Sequence, residues 1–79
     1  MKQICLIVEF YADGHLVFAE QHTNATELDG FVYTENFKVK VSDTTVIPEE
    51  KIRSINKCEH RVIVVDDAIG TSDSRFIAI

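Results

Sequence analysis

Residues 4–21 read ICLIVEFYADGHLVFAEQ, two apolar runs that meet at Asp13-Gly14. Asp-Gly supplies the two positive φ values of a tight type I′ turn, so the stretch predicts a β-hairpin. With Asp13 and Gly14 as the loop, cross-strand partners sum to 27. That register puts Ile4, Leu6, Val8, Phe10, Ala12, Val17 and Ala19 on one face, the core side. The other face then pairs Cys5 with His22, Ile7 with Glu20, Glu9 with Phe18 and Tyr11 with Leu16. Carboxylates mixed with large apolar groups mark a half-covered face or a contact surface.

Downstream of the hairpin, His22 to Gly30 is polar. Asn24 followed by Glu27 fits a capping box and allows one or two helical turns. Phe31 to Thr34 reads as a short strand. Phe37 to Val41 is a cleaner one, whose alternating Lys38 and Lys40 predict a wet face, with Glu35-Asn36 as a bulge or tight turn between the two. Pro48-Glu49-Glu50 suits a helix start, since proline lacks only an N–H that goes unpaired there, and predicts one short helix over about 48–57. The competing reading makes Pro48 to Glu50 a turn and starts an extended strand at Lys51. Arg61 to Val65 is apolar on both faces and reads as a buried central strand. Arg75 to Ile79 is a second apolar strand, which either completes the sheet or pairs with another subunit.

The expected fold is therefore α+β and strand-rich: an antiparallel curved sheet or partly open small barrel of five to six strands with one short helix. At 79 residues the chain makes a single domain, 1–79, of modest stability, about 4 to 12 kcal/mol. Val46 to Val65, with Lys51-Ile52-Arg53-Ser54-Ile55 before Glu59-His60-Arg61-Val62-Ile63-Val64, resembles the last part of several small barrel families, a generic pattern that assigns no function.

Charge and chemistry narrow the function classes. Residues 1–36 carry six acids (Glu9, Asp13, Glu20, Glu27, Asp29, Glu35) against Lys2 alone, whereas residues 37–79 carry seven bases and seven acids. The whole net charge of −5 thus comes from the first half, which disfavours direct contact with nucleic-acid phosphates and favours a basic partner. Glu9 interrupts the first apolar run before a membrane span or signal-peptide core forms, so the expected location is cytoplasmic, with Cys5 and Cys58 as free thiols. Gly14, Gly30 and Gly70 are isolated, leaving no phosphate loop, and no serine or cysteine sits in a nucleophile elbow. Neither a cofactor nor a catalytic residue is expected. Cys5 beside His22, or the loop holding Asp66, Asp67 and Asp73, gives a weaker metal reading, because two ligands are too few and the loop matches no calcium pattern.

The leading expectation is a non-catalytic binding or inhibitor protein. Glu9, Tyr11, Asp13, Phe18, Glu20, Glu27 and Asp29 would contact a basic partner, such as a nucleic-acid-handling protein blocked by a phage-type inhibitor. The alternatives are a small metal-binding protein and a structural subunit that self-associates through its C-terminal strand.

Overall fold

The structure, a computed structural model, describes residues 1–52, 58–66 and 73–79. Seven strands form one sheet in the order β5-β6-β1-β2-β3-β4-β7. They are β1 (Lys2–Ala12), β2 (His15–Leu28), β3 (Phe31–Tyr33), β4 (Phe37–Lys40), β5 (Thr45–Val46), β6 (Glu59–Val65) and β7 (Ile77–Ala78). β1 is the spine, antiparallel to β2 on one side and parallel to β6 on the other, and every other neighbouring pair is antiparallel.

The sheet dominates the fold, as the sequence indicates, but it is open and mixed. The expected antiparallel barrel of five or six strands is corrected. The reason is connectivity: the chain passes through β3, β4 and β5 before β6 returns beside β1 in the same direction, and a parallel pair requires such a long excursion. The expected helix is corrected too. Pro48 leads only into a 3-10 turn, Glu49–Lys51, closed by the Lys51 N–H donating to the Pro48 carbonyl at 2.9 Å. The sheet claims the chain just before it, through the Ile47 N–H donating to the His60 carbonyl at 2.9 Å. Residues 53–57 of that helix, and most of the competing strand, lie outside the described residues.

Two Asp-Gly turns organise the first half. Asp13 (φ 51°) and Gly14 (φ 77°) form the expected hairpin loop, and Asp29 (φ 52°) and Gly30 (φ 82°) repeat that geometry between β2 and β3. Asn24 to Glu27 is accordingly strand, and the helical turns allowed there are absent. Ladder pairing of Thr26 to Leu28 with β3 outweighs a local capping pattern. The 34–37 turn rests on a hydroxyl. Thr34 Oγ1 accepts from the Asn36 and Phe37 N–H groups at 3.3 and 3.1 Å and donates to the Phe37 carbonyl at 3.0 Å.

The β1–β2 register contains two slips. Tyr11 and Ala12 pair with Leu16 and His15 as expected, but Val17 is then an extra residue, so Phe10 faces Phe18, Val8 faces Glu20 and Leu6 faces His22. Thr23 and Asn24 together oppose Cys5 in a second bulge, after which Ile4 faces Ala25. Each bulge reverses which β2 side chains point to a given face. Val17 and Ala19 therefore leave the core side, and Phe18, Glu20 and His22 join it, correcting the expected pairs.

The core gathers Ile4, Leu6 and Val8 of β1 with Ala25, Val32, Val39 and Ile63, all buried. A large aliphatic side chain buried to this degree contributes about 1.5–3 kcal/mol. β6 lies beside the two-residue edge strand β5, and Val64 on its reverse face is exposed, so it is less enclosed than a central strand. Lys40 is exposed as expected, whereas Lys38 Nζ sits 4.7 Å from the Phe31 ring centroid and 5.7 Å from that of Tyr33. β7 completes the sheet within the chain by pairing with β4.

Leu6→Ala is expected to lower unfolding free energy in urea by about 2–5 kcal/mol. Val17→Ala, at a position 61% exposed, should change it by no more than about 0.5 kcal/mol. A large loss at Val17 would restore the unslipped register.

Candidate functional site

The distal half of the β1–β2 hairpin stands apart in exposure. β2 is exposed at every residue from His15 to Gln21, and its ladder with β3 involves only Thr26, Glu27 and Leu28. Among the described residues, the outer backbone edge of residues 15–24 has no strand paired to it. A strand edge left open is a template for another chain's backbone. The apolar run Leu16-Val17-Phe18 lies along this edge at 53%, 61% and 50% exposure, a contiguous run where singly scattered apolar residues are the norm.

The residues expected to form one partner face are distributed over the whole hairpin. Glu9 and Tyr11 lie on the reverse face, where the Tyr11 hydroxyl donates to Glu9 Oε1 at 3.3 Å. Local desolvation, with the Glu9 carboxylate close by, pushes the Tyr11 phenol up from its ordinary value. Asp13 is exposed at the tip, and Asp29 occupies the turn at the opposite end of β2. Phe18, Glu20 and Glu27 are on the core side. Phe18 stacks on Phe10 with centroids 4.4 Å apart, and Glu20 Oε2 lies 3.3 Å from His22 Nε2. The slip thus separates Glu9 from Glu20, which the expected register made diagonal neighbours.

Glu27 belongs to a charged cluster at the far end of the core. Lys2 Nζ donates to Glu59 Oε1 at 2.8 Å, and Arg61 Nε donates to Glu59 Oε2. Arg61 Nη1 donates to Thr44 Oγ1 at 2.8 Å, and Arg61 Nη2 stands 4.0 Å from Glu27 Oε1, a buried oxygen with no hydrogen-bond partner among the described residues. This arrangement ties β1, β2 and β6 together and sets Glu27 beside Arg61, away from the hairpin tip. The hydrogen bond from Lys2, reinforced by Arg61 against partial desolvation, holds the Glu59 carboxyl below its ordinary range.

At the other end of the core, β1, β2, β4 and β6 enclose an apolar cleft of about 280 Å³ together with Asp73 and Phe76. The rings of Phe10, Phe37 and Phe76 line it with Val8, Val65, Glu20 and Asp73. Phe37 meets Phe76 edge-on at 5.1 Å and His22 at 5.3 Å. Arg75 Nε bonds both Asp73 carboxylate oxygens at 3.0 and 3.1 Å, and its Nη2 donates to the Val64 carbonyl at 2.7 Å. These bonds fix the segment before β7 against the end of β6, and the Arg75 guanidinium keeps the Asp73 carboxyl below its usual value.

The Cys5–His22 metal reading finds no geometry. Cys5 opposes Thr23 and Asn24 while His22 points to the other face, so the expected Cys5–His22 pair does not exist. Cys5 is instead level with buried His60 of β6, whose Nδ1 donates to the Cys58 carbonyl at 3.0 Å. Burial, with Cys58 nearby, pushes the Cys5 thiol up. Both cysteines are free, and among the described residues no group of three or more His, Cys, Asp or Glu side chains is placed to hold a metal ion. Residues 67–72 of the acidic loop lie outside the described residues. No helix among the described residues is long and apolar enough to cross a membrane.

Sequence reasoning missed the exposure of Val17, the Glu20–His22 contact and the cleft. Leu16-Val17-Phe18 carried a usable signal, three consecutive large apolar residues that an alternating strand cannot bury on one face. Comparison with models of known families, with curated proteins and with solved structures finds no match to this chain.

Glu59 and Asp73 carry lower carboxyl pKa values in the folded chain than in the unfolded one. Their stabilisation is present above the unfolded value near 4 and is lost as pH falls through each folded value. The melting temperature should decline on acidification below about pH 4, and Glu59→Gln with Asp73→Asn should flatten that decline. An unchanged acid slope in the double variant would show that other carboxylates control it.

Proposed function

We propose that this chain is a small cytoplasmic, non-catalytic binding protein that engages a basic surface on another protein through the distal β1–β2 hairpin. One observation carries the reading: β2 presents an open backbone edge and three half-exposed or more exposed apolar side chains, Leu16, Val17 and Phe18, on the acidic half of the chain. An extended partner segment can add to such an edge by main-chain hydrogen bonds, with side chains supplying selectivity. Asp13 at the tip, Glu9 on one face and Glu20 on the other surround that edge with negative charge. Charge so placed steers a basic partner to the hairpin and suppresses acidic competitors, while the apolar run supplies contact area. A partner whose basic surface otherwise holds nucleic acid would be blocked by this contact, and the chain would then act as an inhibitor.

Self-association through the C-terminal strand has a narrower basis. β7 is two residues long, with Ile77 within it and Ile79 just after it exposed. An edge this short offers few ladder bonds.

Affinity capture from native lysate should retain a basic protein with the wild type. That protein should be lost with a folded Leu16→Ser, Phe18→Ser variant and with Glu9→Lys, Glu20→Lys, and retention should weaken in high salt. Equal capture by all three chains, or none by the wild type, would refute the hairpin reading. A concentration-independent monomer mass by sedimentation would dispose of the self-association alternative.

A further inference from the structure

The cleft at the root of the hairpin has the chemistry of a receptor for a cationic side chain. We propose that it accepts a lysine side chain of the basic partner, with the aliphatic stem among Val8, Val65 and the phenylalanine rings and the ammonium group at Glu20. The inference rests on the proposed hairpin reading and names what the partner would insert beside it.

Size limits the occupant first. About 280 Å³ lies at the small end of the range for ligand sites, a size that one long side chain can occupy. Its wall chemistry is mixed in a particular way. Three aromatic rings, Phe10, Phe37 and Phe76, line it, and aromatic rings attract cations placed over their faces. Two carboxylates share the lining, but Asp73 is neutralised by the two-oxygen contact with Arg75. Glu20 is the remaining acceptor, its side chain 48% exposed and so still reachable from solvent.

The choice of lysine over arginine follows from Glu20. Its Oε2 faces His22 Nε2 at 3.3 Å, while Oε1 has no hydrogen-bond partner among the described residues. A single available oxygen matches a compact ammonium, whereas a guanidinium fork is best satisfied by both oxygens of a carboxylate. Lysine also carries four methylenes that can lie along apolar surface while the charged head stays near water at the rim. The Val17 slip is what makes this possible, because it brings Glu20 to the same face as Val8 and Phe10.

The test is a titration of the full, 15N-labelled chain with Nα-acetyl-lysine methylamide, read by amide shifts, beside the norleucine and arginine counterparts. Norleucine keeps the stem and removes the charge. The lysine probe should give saturable shifts centred on Glu20, Phe37 and Phe76, with the norleucine probe at least about tenfold weaker. Glu20→Gln, with an otherwise preserved spectrum, should weaken lysine binding about fivefold, while Glu50→Gln in the exposed Glu49–Lys51 turn should leave it within about twofold. Equal binding of norleucine, no saturable shift in the cleft, or indifference to Glu20→Gln would overturn the inference. Arginine binding as tightly as lysine would overturn the choice of side chain. If the cleft fails while Leu16→Ser, Phe18→Ser still abolishes partner capture, the hairpin reading stands without it. Loss of the cleft response together with absence of any captured basic partner removes both.

Discussion

The slip of one residue at Val17 controls what the rest of the molecule presents. β1 keeps strict alternation, with Ile4, Leu6 and Val8 inward throughout, and its parallel partner β6 follows in register from Glu59 to Val65. β2 does not alternate uniformly. Between its two bulges its even residues face inward, and beyond Asn24 its odd residues do. The long strand can therefore place Ala25 in the core at one end and Glu20 over an apolar cleft at the other. A regular hairpin would have put Ala19 and Val17 there and left Glu20 in solvent on the reverse face.

Electrostatics divides along the same axis. Lys2, Glu59, Arg61 and Glu27 form a cross-strand cluster at one end of the core, where Lys2 and Arg61 are already engaged. At the other end Arg75 is committed to Asp73 and to the Val64 carbonyl. Lys38 is held near the Phe31 and Tyr33 rings. Glu9, Asp13 and Glu20 on the hairpin have no lysine or arginine partner among the described ion pairs, and it is this imbalance that gives the hairpin its negative field. The cluster end ties the strands of the sheet together, and the hairpin end keeps its carboxylates outside the described lysine and arginine ion pairs.

Much of the fold was legible in local sequence. Asp13-Gly14 specified its own turn, and the apolar alternation of Phe37 to Val41 and the Arg61 to Val65 run identified real strands, because each signal depends on neighbours in the chain. Asp29-Gly30 carried the same turn signal and was obscured by the polar residues before it, whose capping-box pattern is satisfied only if no sheet competes. The parallel β1–β6 pair was not legible, since nothing within either strand records the direction of its neighbour. The bulges were equally hidden. Val17, Thr23 and Asn24 include no glycine or proline to announce an irregular ladder, and one undetected residue inverted every inference about Glu20, Phe18 and Ala19. Candidate contact residues were thus chosen by type, while their faces required the register.

The most direct measurement is a set of interproton NOEs across the β1–β2 ladder in uniformly labelled protein. The slipped register predicts contacts between the Phe10 and Phe18 rings and between Val8 and Glu20, with Tyr11 still opposite Leu16. Contacts of Phe10 with Val17 and of Glu9 with Phe18 would instead show an unbroken hairpin, return Glu20 to the reverse face and contradict the placement on which the cleft and the two-faced hairpin depend.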